Sequence, residues 1–413
     1  MREEADDSNP ALCEAIAQRI AESANQRITF AEYMDLVLYE PNRGYYATKA
    51  VDIGLQGDFF TSPHLGVDFG ELLAEQFLQM WETLERPKPF TLLELGAGQG
   101  LLAADILGYL YRRHPDFLAA LEYIIVERSE ALRHEQQQRL LLRGGQGKRE
   151  LRELREQKKI TLPVRWATLE EIPVDSITGC CFSNELVDAL PVHQFIVEGG
   201  QLREIYVTTG LVEVIGEPST RWLAEYFDLV KIELPSNAYP DGYRSEVNLA
   251  ALDWLNTIAN RLQRGYLLTI DYGYPSDRYY SHTRLNGTLQ CYYRHRRHSN
   301  PYIHIGRQDI TAHVDFTALE LWGEMCGLHK VGFTQQGLFL MALGLGDRIA
   351  ALSTSSEASS DPPGIVSLLR RREALHQLMD SLGLGSFGVL VQSRGLTKVE
   401  MARPLKGLSF PSA

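Results

Sequence analysis

The sequence predicts an α/β fold, a doubly wound sheet of seven strands with a helical extension before it and an inserted lobe of β-hairpin and helix within it. Three observations carry that prediction. From Phe90 onward apolar runs alternate with helical patterns, as parallel strands with crossover helices require. A glycine-rich turn joins the first of these runs to the first helix. A hairpin signal then interrupts the alternation between the fourth and fifth runs.

The elements follow in order along 413 residues, a length that fits one large decorated domain or two smaller ones. Leu12, Ile16 and Ile20 share one face of a first helix, and Thr29 with Glu32 forms a capping-box pattern that opens a second. The stretch PNRGYYATKAVDIGLQGDFFTSP is a loop, and it places Ser62 and Pro63 as N-cap and first residue of a helix running through Trp81. The strands are then FTLLELG, EYIIVE, PVRWAT, GCCFSNEL, GYLLTIDYG, a run from His329 to Phe333, and FGVLVQ at 387 to 392. LLAADILGYLYRR is the helix after the first strand, and another helix follows Ser129. Between strands four and five, FIVE-GG-QLREIYV reads as a hairpin turned at Gly199 and Gly200, with a helix from Ser245 to Leu262 stopped near Gly265. The expected division is 1–85, a helical N-terminal region; 86–190, first part of the core; 191–264, a substrate or lid lobe; and 265–413, the rest of the core with a mobile connector at 353–363. In the segment 143–159 Arg and Glu recur at i,i+4, the pattern of a solvated helix face.

Composition narrows the function classes. Hydrophobic residues at 44% and charged residues at 23% are those of a folded soluble enzyme. A net charge of −12 repels a phosphate backbone, which argues against nucleic acid as a partner. The five cysteines show no C-x-x-C pair, and no apolar run reaches the roughly twenty residues that stable membrane insertion needs. The opening MREEADDSNP is acidic where a transit peptide is basic, so a cytoplasmic location is expected.

The sharpest chemical signal is Glu94-Leu95-Gly96-Ala97-Gly98-Gln99-Gly100, a strand-to-helix turn whose glycines let a ligand approach the backbone. Leu101 stands where a dinucleotide fingerprint needs a small residue. The pattern is similar to the first motif of class I methyltransferases, whose ligand has no pyrophosphate. Glu127 ends the second strand, where a carboxylate accepts hydrogen bonds from ribose hydroxyls. The fourth strand ends in SNELVDALPVHQF, bringing Asn184, Glu185, Asp188 and His193 to the carboxyl edge of the sheet, and Asp271 ends the fifth strand near the same cleft. Carboxylates there suit a guanidinium, whose planar donors they accept. For Asp188 a solvated helix face and a substrate contact fit equally well. His193, ahead of a hairpin strand, has the alternative of a structural hydrogen bond. The cluster Arg294-His295-Arg296-Arg297-His298 lacks further ligands at metal spacing, so no metal is expected, and it is either a solvated loop or a dock for an acidic surface.

With these residues in place, the chain resembles the MidA-like family of methyltransferases, whose mitochondrial branch assists respiratory complex I assembly. The resemblance rests on ITFAEYMDLVLYEPNRGYY, GDFFTSPHLGVDFGELLA, LLELGAGQG, FSNELVDALPVHQF, LLTIDYGY, QDITAHVDFTAL and VLVQSRGL. It implies a Rossmann-like methyltransferase core and S-adenosyl-L-methionine as cofactor. Gly57, Asp58, Thr61 and Ser62 would fold over that cofactor, with Glu94, Gly96, Gly98, Gly100 and Glu127 holding it. Asn184 and Glu185 would face the methyl donor. The implied reaction is methylation of an arginine on a partner protein such as a complex I-type subunit, with Glu185, Asp188, Asp271 and His193 as candidate catalytic residues. A cofactor-binding assembly factor without turnover, or a methyltransferase acting on a small molecule or nucleic acid, fits the same motifs.

Overall fold

Among the residues described by the computed structural model (7–48, 61–142, 162–294, 296–355 and 362–409), the seven apolar runs pair into one sheet. The strands are β1 Phe90–Leu95, β2 Leu121–Val126, β3 Val164–Ala167, β4 Ile177–Asn184, β5 Leu262–Asp271, β6 His329–Gln335 and β7 Gly388–Arg394, in the order β6-β7-β5-β4-β1-β2-β3. The pairs from β5 to β3 are parallel. β7 runs antiparallel to both β5 and β6.

Successive strand residues point to opposite faces, so the neighbours Cys180 and Cys181 enter different cores. On the Cys180 side lie helices α3 (Val67–Thr83) and α4 (Leu101–Arg113), burying Phe69, Phe77, Ile106 and Leu110. On the Cys181 side lie α6 (Leu249–Arg261) and α7 (Phe316–Met325), burying Leu255, Ile258 and Leu319. Helix α5 (Glu130–Gln137) is capped by Ser129, whose side chain accepts from Leu132 N, and it leads back toward the glycine turn.

The N-terminal extension contributes α1 (Pro10–Glu22) and α2 (Phe30–Tyr39). Leu12, Ile16 and Ile20 are buried as their spacing requires, each contributing roughly 1.5–3 kcal/mol. Thr29 and Glu32 form both bonds of the capping box. These helices pack on a three-stranded sheet, Gln290–Tyr293, Arg296–His298 and Asp309–Thr311, whose strands are too short to show a pattern in the sequence. The hairpin His193–Glu198 and Gln201–Thr208 turns at Gly199 and Gly200, both at positive φ (57° and 71°), as expected. Its sheet is completed by Val212–Gly216, by Arg244–Val247 and by Arg27–Thr29 from the N-terminal extension.

Two boundaries differ from expectation. Ser245 begins no helix: residues 244–247 pair with the hairpin, Asn248 caps the helix at Leu249, and Gly265 lies inside β5. Ser62 is no helix cap either, because Ser62–Leu65 is a separate 3-10 turn and α3 starts after Gly66. In the expected connector, residues 353–355 and 362–363 belong to helices Leu345–Ser355 and Pro362–Met379, and 356–361 lie outside the described residues. Gly57, Asp58 and the charged segment 143–159 also lie outside them. Among the described residues no helix is long and apolar enough to cross a membrane, and no group of His, Cys, Asp and Glu is placed to hold a metal ion.

Candidate active site

The carboxyl ends of β1, β2, β4 and β5 open onto a cavity of about 1760 Å³. Parallel pairing aligns them: Leu95 lies beside Val126 and Ser183, so the residues that follow, Gly96, Glu127 and Asn184, emerge at one edge. Thr61, Glu94, Gly96, Gly98, Glu127, Asn184, Glu185 and Asp188 all line this cavity.

Gly98 sits at φ 51°, and a Cβ built on it would meet nothing within 4 Å. That direction is open to a ligand, and the left-handed backbone there favours glycine. Helix α5 returns Gln136 to this turn, where its Nε2 donates to Gly98 O at 2.7 Å and to Glu127 Oε2 at 3.1 Å. Trp166 Nε1 fixes the amide from behind, donating to Gln136 Oε1 at 2.9 Å. Glu127 Oε1 accepts from Ser129 N at 2.9 Å. The Arg128 backbone also favours the ionised Glu127, and a carboxylate accepts about four hydrogen bonds, so capacity for a ribose hydroxyl is left. Glu94 accepts from Tyr123 OH at 2.7 Å, and burial, opposed by that bond, pushes its carboxyl up to about 7.

Glu185 adopts φ 51°, a costly conformation for a residue with a Cβ. Its backbone N donates to Ile270 O at 2.9 Å, and its Oε1 accepts from Asn184 Nδ2 at 3.1 Å and Ser62 N at 3.3 Å. Burial raises this carboxyl to about 8, the nearby Asp188 adds to the rise, and the bonds from Asn184 and Ser62 oppose it. Asp188 is buried and its Oδ1 has no hydrogen-bond partner among the described residues. Burial lifts its carboxyl to about 6 against a hydrogen bond from Tyr272. Among the described residues no arginine or lysine acts on either group.

Four expected site residues sit elsewhere. Asp271 is fully buried beneath the cavity floor, where Oδ2 accepts from Leu186 N, Val187 N and Asp188 N (3.2, 2.9 and 3.3 Å) and Oδ1 from Tyr272 N (2.9 Å). It builds the turn that presents Glu185 and Asp188 and has no route to a substrate. Burial, with the charges of Asp188 and Glu185, pushes its carboxyl well above the usual range. His193 points into the small sheet, Nδ1 2.8 Å from Glu204 Oε1, because the hairpin strand carries it away from the cleft. Gly100 is the N-cap of α4 and packs on Gln136 outside the lining. Ser62 is fully buried, its hydroxyl paired with Gln336, and it reaches the site only through its backbone N–H to Glu185.

Sequence reasoning missed Gln136, Tyr272 and His313. A lone glutamine on a helix carries no motif. The Tyr after Asp271 in TIDYGY stands at a strand end on the ligand edge, and that position was its available signal.

The open glycine turn, the spare capacity of Glu127 and the buried oxygen of Asn184, without a partner among the described residues, fit an adenosyl cofactor with a polar tail. Comparison with known proteins agrees. Residues 72–334 match a family described as S-adenosyl-L-methionine-dependent methyltransferases. A Drosophila melanogaster protein named "Protein arginine methyltransferase NDUFAF7 homolog, mitochondrial" is 31% identical over 76% of this chain and 71% of its own length. The Homo sapiens protein "Protein arginine methyltransferase NDUFAF7, mitochondrial" is 28% identical over 81% of this chain and 74% of its own. A Burkholderia thailandensis crystal structure, of a COG1565 superfamily member bound to S-adenosyl-homocysteine, superposes with a TM-score of 0.77 at 30% identity, covering 96% of this chain and 95% of that one. These names correct one expectation: the curated relatives are called mitochondrial, which points away from the cytoplasm, and an acidic opening was no positive evidence for it. Sequence, fold and site agree that the chain belongs to this family of S-adenosyl-L-methionine-dependent methyltransferases.

Proposed function

We propose that this methyltransferase acts on the guanidinium of an arginine in another protein, and that the substrate is a complex I-type subunit methylated during assembly. One observation carries the first part: Glu185 and Asp188 share a cavity wall with the cofactor turn, and among the described residues no arginine or lysine compensates them. A planar cation with five donors supplies what those oxygens lack. The names of the curated relatives support arginine as the acceptor. The resemblance to the MidA-like family supports the complex I-type partner.

Bound S-adenosylmethionine supplies an activated methyl group. Gly96, Gly98, Glu127 and Asn184 would hold it. Glu185, fixed by Asn184 and Ser62, accepts N–H donors from the guanidinium and with Asp188 draws positive charge away from the nitrogen that is to be methylated. A free guanidinium holds its proton to far above neutral pH, so no base removes it first. Glu185 is placed to take the proton released once the new N–C bond has formed.

Mass spectrometry of cells with and without the protein tests the proposal. Loss of methylation at an arginine of one protein supports it, whereas loss confined to a small molecule or nucleic acid sinks it. The pH profile tests the site itself. Glu185 is raised to about 8 in the free protein, so it is mostly neutral at lower pH and must ionise to receive a cation. kcat/KM should therefore climb through about pH 8, while kcat, measured with the guanidinium already in place, should bend at lower pH. A kcat/KM flat from about pH 6 to 9 would remove Glu185 from the substrate contact.

A further inference from the structure

The carboxylates account for one end of the cavity. Its wall also contains Arg278, Arg284 and Arg297, which the reaction above does not use. Arg278 follows β5, Arg284 lies in the loop before the strand Gln290–Tyr293, and Arg297 belongs to the basic cluster noted in the sequence. The first two guanidiniums lie over the ring of Tyr274, at 4.3 and 4.7 Å from its centroid. Among the described residues none of the three forms an ion pair with a carboxylate, although the chain carries 53 acidic residues against 41 basic. Surface arginines elsewhere do find partners, as Arg86 does with Glu82 at 2.7 Å and Arg112 with Glu71 at 2.6 Å.

His313 stands among them, edge-on to Tyr272 and Tyr274 with ring centroids 5.1 and 5.0 Å away. Burial and then the charges of Arg284, Arg297 and Arg278 push its imidazole down to about 4. The ring is therefore neutral at working pH, and its buried Nδ1 has no hydrogen-bond partner among the described residues. Three cations around a neutral ring repel one another unless an anion joins them. The space for one exists, since small-ligand pockets run to about 1,000 Å³ and this cavity is larger.

We infer that the arginine-lined wall of the cavity binds an aspartate or glutamate of the substrate protein, placed within a few residues of the arginine to be methylated. The cavity is then bipolar, with carboxylates for the guanidinium and guanidiniums for a neighbouring carboxylate. An oppositely polarised pair on the substrate fits in one orientation only, which selects an arginine by its sequence surroundings. The inference rests on the arginine reading of Glu185 and Asp188.

Short fluorescent peptides with a central arginine test it, each carrying one glutamate at a different position or glutamine at the same position. Their binding to the protein saturated with S-adenosylhomocysteine is read by anisotropy. The best-placed glutamate should bind about tenfold more tightly than its glutamine counterpart. In the double variant Arg278→Gln/Arg297→Gln the difference should fall below about twofold. Both side chains are exposed and unpaired, so melting temperature and S-adenosylhomocysteine affinity should hold. Arg284 is left in place because its Nη1 donates to Arg278 O and Tyr279 O at 2.8 Å each. Equal binding of glutamate and glutamine peptides, binding by no peptide, or a preference that survives the double variant overturns the inference. A central leucine separates it from the reading beneath it. If leucine peptides keep full affinity and the glutamate preference, the anion site stands and the guanidinium site falls.

Discussion

Glu185→Gln is expected to lower methyl transfer by two to three decades, about 2.7–4 kcal/mol, while S-adenosylhomocysteine affinity moves by less than about twofold. Glutamine keeps the oxygen that accepts from Asn184 Nδ2 and Ser62 N, so the strained turn is retained. The charge and the second acceptor oxygen are lost. Initial rates with labelled donor, alongside calorimetric titration of the product cofactor, separate the two effects. Unaltered turnover would make Glu185 a turn residue and leave the guanidinium to Asp188. Weakened cofactor binding in step with turnover would mean that the turn itself had moved.

The second large effect is expected at the glycine turn. A ligand at a hundredfold its dissociation constant stabilises the unmodified protein by about 2.7 kcal/mol, and Gly98→Val should abolish that gain. The substitution puts a branched side chain where a Cβ has open cavity before it. It also forces valine to φ 51°, which costs about 1–2 kcal/mol without any ligand. The informative quantity is therefore the melting shift caused by ligand, not the melting temperature of the variant. A full shift in Gly98→Val would place the cofactor elsewhere.

What the sequence makes legible follows from how each element is stabilised. Buried strands are near-continuous apolar runs, which made β1, β2, β4, β5 and β7 readable, whereas β3 and the edge strand β6 are largely exposed and were placed by their position in the alternation; Leu101–Arg113 was readable as a helix from its amphipathic period. Arg27–Thr29 was not, because a three-residue strand has too short a pattern and its partner, Tyr206–Thr208, is distant in sequence. The Ser62-Pro63 pair resembles a helix start, yet its serine is turned inward by Gln336, a tertiary contact no local rule contains. In the site, residues at strand ends and in the glycine turn were found because topology brings them to one edge. Asp271 shares that edge but differs in what it bonds: three N–H groups of the turn after β4 claim its carboxylate. Position alone cannot separate an acid facing a substrate from one holding the backbone that does.

The N-terminal extension has a consequence for how the chain is made. Asn9 N donates to Ile305 O at 2.9 Å, Tyr33 OH donates to Pro301 O across 268 residues, and residues 27–29 wait for 206–208 to complete their sheet. A ribosome therefore releases α1 and α2 long before any surface exists to receive them, with Leu12, Phe30 and Met34 uncovered in the meantime. The core strands β1 to β3 can pair as they emerge, whereas α1 and α2, made before them, wait for residues 289–312 to dock. Tyr39 and Tyr46, which stack at 5.4 Å and line the cavity, arrive with it. A nascent chain can thus hold the paired strands β1 to β3 and the glycine turn before the wall that faces the substrate closes over them.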